Sequence, residues 1–596
     1  MWTKCKALAC AASLALLPWA GAAAAAPPVQ HSAAQQTPPA RSELTADFLL
    51  GAAVLEEPLA TAAFAPVSSL TTSAAPAHRF EGRLELVVEP GAARLRGLND
   101  RFDYLQDSAL QIGRLPPFSF EFVQDGHQLV PALRGPQRST HPHWELILEP
   151  GSVWDEPGDG GWSRAALPFA LQERNANCTH NGLLTFLFRA DGSTSRAAFQ
   201  IGSETCQYLQ FDLWGITAAR YSPASVKGAD QLIADHRRER AARLPVKPLS
   251  ALATDYPGTD VGEFDWFPPE EVSAVGFAID GVHYRGDCAT RHGPYPFCEV
   301  LDLPSYSLAK SIFAGLAWLA LEREAPGIGQ ALVRSLVPEC ADDRWAGVTL
   351  QHLLDMSTGN YASLAADADE FASYETPFMA GDTHATKIGM ACSLFPRKAE
   401  PGTTFAYHTS DTYIAGTLMN AWLAQQAAAS NATARDVHRD VLVAELMRPL
   451  GLSPLTHASK RTYDSVAQPF AGWGLTLHAD DIVRLGLFLL RDGGAIDGRQ
   501  VLDPAELAAA LQRNPADRGL PAGSDSLRYN NGFWGYRTDL GGACREPIWI
   551  PFMSGYGGIS VALLPNGSLY YVFSDHGRFE WLRAAVAAHR IRNLCE

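Results

Sequence analysis

A serine stands three residues ahead of a lysine, Ser307 and Lys310, at the head of the apolar stretch "SLAKSIFAGLAWLALE". Positions three apart share one face of a helix, so the hydroxyl and the amine can touch. Lysine is scarce here: of the eight in the chain, only Lys310 has serine at that spacing. Among Leu308, Ile312, Phe313, Leu316 and Trp318 a lone ammonium is costly to bury, so Lys310 needs a partner or must sit neutral. Either condition suits a base beside a nucleophile. The same residues also fit a lysine that snorkels out of a core helix. In "PGTTFAYHTSDTYIAGTLM", Tyr407 ends a short extended run, and a helix is expected from about Asp411. A phenol beside an ammonium can carry a proton, although tyrosine at a helix start is often structural. In "MSGYGGISVALLP", Tyr556, Gly557 and Gly558 precede an expected strand. Glycines there permit close backbone approach, and strand-edge N–H groups can hold an oxyanion; an ordinary tight turn has the same composition.

The elements that must position these groups fall into two regions. From 46 to about 220, short runs such as "RLELVVEP", "FSFEFV", "HWELILEP" and "LLTFLF" alternate between turn residues, predicting a β-rich, sandwich-like domain. A charged helix over 223–243 closes this unit, giving an accessory domain over 46–245. Residues 246–596 mix strands and helices. A hairpin turning at Asp280-Gly281 opens the region, a long helical middle runs to about 520, and strands and a last helix close it. Strands at both ends around a helical middle predict an α+β domain whose sheet joins the first and last segments. Trp144, Trp154, Trp162 and Trp214 are expected in the β-domain core, with a carbohydrate- or partner-binding face as the alternative.

The whole chain narrows the function classes. Its 596 residues carry a net charge of −16, which disfavours a nucleic-acid surface, and 47% are hydrophobic, enough for packed cores. Residues 1–26 have two early lysines, an alanine-rich apolar run and an A-x-A ending, the pattern of a cleaved secretory signal; 27–45 read as a linker. No later segment is long and apolar enough to span a bilayer. Signal cleavage would leave eight cysteines, Cys178, Cys206, Cys288, Cys298, Cys340, Cys392, Cys544 and Cys595, expected as disulfides in an oxidising compartment. Neighbours in sequence are the simplest partners, although eight cysteines allow 105 pairings. No C-x-x-C, no H-E-x-x-H and no tight His/Asp cluster occurs, so a metal site is not expected.

The order Ser307-x-x-Lys310, Tyr407, Tyr556-Gly557-Gly558 resembles the serine β-lactamase and penicillin-binding-protein superfamily. In particular it resembles the β-lactamase-related serine hydrolases: class C-type β-lactamases, D-aminopeptidases, family VIII esterases and 6-aminohexanoate-dimer hydrolases. Supporting stretches follow in the family's order: "VTLQHLLDMSTGNY", "LMRPLGL", "AGWGLTLHADDIVRLGLFLL" and "YNNGFWGY". The wording "HLLDMSTG" and the Ser307-to-Tyr407 spacing are most similar to the 6-aminohexanoate-dimer hydrolase branch. The resemblance covers roughly 265–596 and implies an acyl-enzyme on Ser307, with Lys310 and Tyr407 as the proton-transfer pair and no cofactor. Which of the two is the formal base stays open. It also implies an oxyanion hole from the Ser307 N–H and the 556–559 segment. Two departures stand out: Tyr407-His408-Thr409 replaces the usual Tyr-x-Asn, leaving Thr409 as the substrate contact, and Tyr556 precedes the glycines where relatives carry Lys or His. Both favour a small ester or amide substrate over a β-lactam or a cell-wall D-amino-acid peptide. A catalytically inactive binding or sensor protein is the alternative from another class. No G-x-S-x-G elbow points to an α/β-hydrolase.

Overall fold

Alternating short runs between 81 and 223 form an antiparallel ladder that returns to its own first strand. The computed structural model describes residues 41–66, 75–87, 91–365, 368–541 and 544–595; the expected signal over 1–26, and 27–40 of the expected linker, lie outside the described residues. Glu81–Val87 pairs with Phe118–Asp125 on one side and with the far half of Leu209–Pro223 on the other. Gln128–Pro131, Gly151–Asp155, Ser163–Glu173, Thr179–Phe188 and Ala197–Thr205 complete the circuit, and Ala93–Asp100 and Trp144–Leu148 extend two of the staves. The β-rich character expected of this region is present. The closing pair makes it a barrel, with no open edge where that pair meets.

Side chains alternate across this wall as the pleat requires. Along Thr179–Phe188, Leu184, Phe186 and Phe188 fill the barrel, while Leu183 and Leu187 join the core that contains Tyr295, Phe297 and Leu301. That strand is buried on both faces, which explains its unbroken "LLTFLF". Trp144 and Trp154 are fully buried and Trp214 is 6% exposed, so these three belong to the packed wall; Trp162 is half-buried under the Arg189 guanidinium. Residues 41–45, expected as the end of the linker, are already packed: Arg41 pairs with Glu156 at 2.7 Å and Leu44 is buried.

Helix Ala229–Ala242 leads from the barrel to a nine-stranded sheet. Val272–Ile279 and Leu569–Ser574 lie side by side in its interior, so the first and last segments do share one sheet. The expected hairpin is present: Ile279 pairs with Val282 across Asp280 and Gly281, whose φ values of 56° and 78° are those of a tight primed turn. One face of the sheet packs on Leu582–Ile591 through Ala584, Ala585 and Ala588. The other face carries the helical middle, including Leu316–Glu324, Thr409–Ser430 and Ala479–Leu490. Among the described residues no helix is long and apolar enough to cross a membrane.

Barrel and second sheet are joined by polar contacts as well as by apolar packing. Arg291 pairs with Glu204 at 2.6 Å and with Asp212 at 2.8 Å, and buried Lys460 meets Glu145 at 3.0 Å. All four disulfides join sequence neighbours: Cys178–Cys206, Cys288–Cys298, Cys340–Cys392 and Cys544–Cys595.

Candidate active site

Ser307 sits on a turn held from three directions. The two-residue strand Leu303–Pro304 pairs with Thr476–Leu477, and Ser305 continues that contact by donating its N–H to the Leu475 carbonyl at 2.9 Å. From the barrel, the side-chain amide oxygen of Asn177, Oδ1, accepts the Tyr306 N–H at 2.7 Å and the Ser305 hydroxyl at 3.2 Å. Tyr306 has φ 40°, a left-handed conformation that a bulky residue adopts only where its surroundings impose it. The helix then begins in tight turns, with Lys310 donating to the Ser307 carbonyl at 3.0 Å, and widens into a π-helical stretch over Lys310–Gly315. Among the described residues no carbonyl or side chain accepts the Ser307 N–H, which leaves it free for a ligand oxygen.

The serine and the lysine meet as their spacing predicts. Lys310 Nζ donates to Ser307 Oγ at 2.7 Å and to Thr409 Oγ1 at 2.8 Å. Lys310 is 1% exposed, so its nitrogen works inside the protein, where each polar contact counts for more than in water. The Tyr407 ring lies 4.7 Å from this nitrogen, stacked on Trp534 and edge-on to Tyr529. The helix that follows starts at Thr409, two residues earlier than expected, because His408 serves as its N-cap position. Thr409 therefore lies in the first turn with its N–H directed out of the helix end.

That N–H and the Thr409 hydroxyl are both taken by Glu370, which the sequence reading missed. One carboxylate oxygen accepts the N–H at 2.7 Å and the other accepts the hydroxyl. Thr409, the expected substrate contact, stands between Lys310 and Glu370. Below it, buried His408 bridges Asp369 at 3.2 Å and Asp411 at 3.4 Å and stacks on Phe395. Burial opposes the charge on this imidazole, yet the two carboxylates prevail and push it up to about 9. Burial opposes the charge on Asp369, but the bond from His408 and the N–H groups of Ala362 and Ser363 together hold it down at about 2. Glu375 is pushed up to about 9 by burial and by the neighbouring Glu370 charge. The stretch "ADADEFASYE" has no periodicity, so nothing in the sequence singles out Glu370.

The third motif lies across the turn. Gly555 ends strand Ile548–Gly555 so close to the Ser305 carbonyl that a Cβ there would lie 3.0 Å from it. Tyr556 follows, half-buried, with its ring near Tyr306, Phe371 and the barrel's Tyr208, while Arg101 of the barrel approaches its hydroxyl at 3.4 Å. Gly557 and Gly558 lie farther along the turn and face elsewhere. A Cβ on Gly558 would meet the Arg578 backbone at 2.5 Å, and one on Gly557 the Ser574 carbonyl at 3.3 Å, so their smallness admits segment 574–578.

One buried trio lies apart from this site. Glu149, Asp302 and His478 bring an oxygen or ring nitrogen each within 4.8 Å of one another at the junction of barrel and sheet. Arg134 pairs with Glu149 and with Glu239, so two basic side chains face three carboxylates there.

The arrangement sets a buried lysine nitrogen against a serine hydroxyl at the head of a helix. No family model and no curated protein matches the chain. Solved structures similar to it include EstCE1, a hydrolase with promiscuous acyltransferase activity (17% identity, 61% of this chain and 99% of that one, TM-score 0.39). A penicillin-binding protein homolog from Caulobacter crescentus aligns at 17% identity over 60% of this chain and 97% of its own, TM-score 0.38. A class C β-lactamase mutant aligns at 13% identity over 62% and 99%, TM-score 0.37. At such identities and TM-scores these likenesses assign no activity to this chain.

Proposed function

We propose that this chain is an exported serine hydrolase that cleaves an ester or a small amide through an acyl-enzyme on Ser307. The observation that carries the reading is the 2.7 Å bond between a buried Lys310 nitrogen and the Ser307 hydroxyl. Lys310, with the Tyr407 phenol beside it, takes the serine proton as Oγ attacks the carbonyl carbon. The negative oxygen that forms is held by the Ser307 N–H, at a helix start whose dipole favours it, and by an N–H of the 556–559 segment. Water then attacks the acyl-enzyme by the same proton route, releasing the acid. The four disulfides support export to an oxidising compartment. Tyr556 in place of a cation at the third motif supports a substrate without the carboxylate of a β-lactam.

The test is intact-protein mass spectrometry after exposure to a fluorophosphonate, comparing wild type with Ser307→Ala, alongside turnover of p-nitrophenyl acetate and nitrocefin. Labelling of wild type alone, with ester turnover and little nitrocefin hydrolysis, is expected. Rapid nitrocefin turnover would shift the substrate to β-lactams. A folded wild type that neither labels nor turns over any substrate would make the chain a binding protein on a hydrolase scaffold.

A further inference from the structure

We propose that Glu370 is the terminal proton acceptor of the Ser307 site, reached from Lys310 through the Thr409 hydroxyl; this rests on the serine-hydrolase reading above. The direction of the wire follows from counting protons. An ionised carboxylate only accepts, so Thr409 gives its single hydroxyl proton to Glu370, and the oxygen lone pairs left over face Lys310, which donates at 2.8 Å. Lys310 in turn faces Ser307 at 2.7 Å. Both carboxylate oxygens are fixed on Thr409, one by its hydroxyl and one by its N–H at 2.7 Å, so the group cannot rotate out of line. The N–H belongs to the first turn of a 22-residue helix, whose positive end favours the anion.

The step balances without a further reagent. In the resting pair Lys310 is an ammonium and Glu370 a carboxylate. Lys310 passes a proton to Thr409 Oγ1 as the threonine's own proton moves to Glu370, leaving an amine lone pair facing Ser307. The Ser307 O–H bond breaks into that lone pair as Oγ bonds the carbonyl carbon and the carbonyl π pair moves onto oxygen. When the carbonyl re-forms, the bond to the leaving group breaks and the proton returns along the wire to the departing oxygen or nitrogen. Water repeats the sequence against the acyl-enzyme. Glu370 thereby acts through Thr409 and Lys310 as a positioning residue for the proton.

Lys310 and His408 are the cations around Glu370, and Asp369, Asp411, Glu375 and Tyr529 are the acids. Glu370→Gln puts an amide N–H or a neutral oxygen where the acceptor stood. It should lower p-nitrophenyl acetate kcat on the order of 10²-fold with KM little changed. Glu370→Asp should recover part of the rate. Thr409→Val should match Glu370→Gln, and Thr409→Ser, which keeps the hydroxyl, should stay near wild type. Melting temperatures of all four are read alongside.

Wild-type kcat in Glu370→Gln would overturn the proposal. So would equal losses in all four variants accompanied by lower melting temperatures, since packing alone would explain them. A wild type with no Ser307-dependent turnover would instead remove the serine-hydrolase reading, and this proposal with it; the Ser307→Ala control separates the two failures.

Discussion

At the scale of single residues, the site is an arrangement of buried charges whose balance depends on pH. His408 is raised from 6.5 to about 9. The stability it contributes is complete below its unfolded value and is lost as pH rises through about 9. Glu375, raised from 4.5 to about 9, acts in the same direction: it keeps its proton on folding, so the fold is penalised progressively above its unfolded value. The melting temperature should therefore fall as pH climbs from about 7 to about 9, and Glu375→Gln, which cannot ionise, should flatten that fall. A melting curve series showing the same slope in both proteins would refute this. Ser307, Lys310 and Tyr407 were legible in the sequence because a fixed spacing on a helix, or a position at its start, is a local property. Glu370 and Asn177 were not, because each reaches the site from an unrelated segment through one side chain.

At the scale of elements, what positions Lys310 is the closeness of two backbones. Gly532 has φ 84°, and a Cβ on it would lie 2.6 Å from the Lys310 carbonyl, while Ser311 donates to the Gly532 carbonyl at 2.6 Å. Gly532→Ala should therefore push the π-helical turn and move Lys310 off Ser307. The cost should be about 1–3 kcal/mol of stability and most of the fluorophosphonate labelling rate. Gly498→Ala is the control: φ 77° imposes similar backbone strain, with nothing within 4 Å of the added methyl. It should lower the melting temperature and leave labelling unchanged. Strands and helices followed from alternation and periodicity, and the Asp280-Gly281 hairpin from its turn residues. The start of the helix at Thr409 was missed by two residues, since His408 is not among the side chains that usually mark an N-cap.

At the scale of the whole molecule, the barrel completes the site as well as preceding it. Its closure was not legible, because pairing Glu81–Val87 with Leu209–Pro223 is a long-range event that alternation within each strand does not encode. Its role was hidden for the same reason: Asn177 holds the turn of the nucleophile from the barrel side. Asn177→Ala should leave the Tyr306 N–H without its acceptor, costing about 1–3 kcal/mol, and should slow fluorophosphonate labelling while the disulfides remain formed. Labelling at the wild-type rate would show that the turn stands without that support. The bond joins residues 129 positions apart in the chain. Closing a loop of that length carries an entropic cost that the rest of the fold must offset. A chain whose two halves fail to meet should therefore leave Ser307 without the turn that aims it, and should not label with a fluorophosphonate.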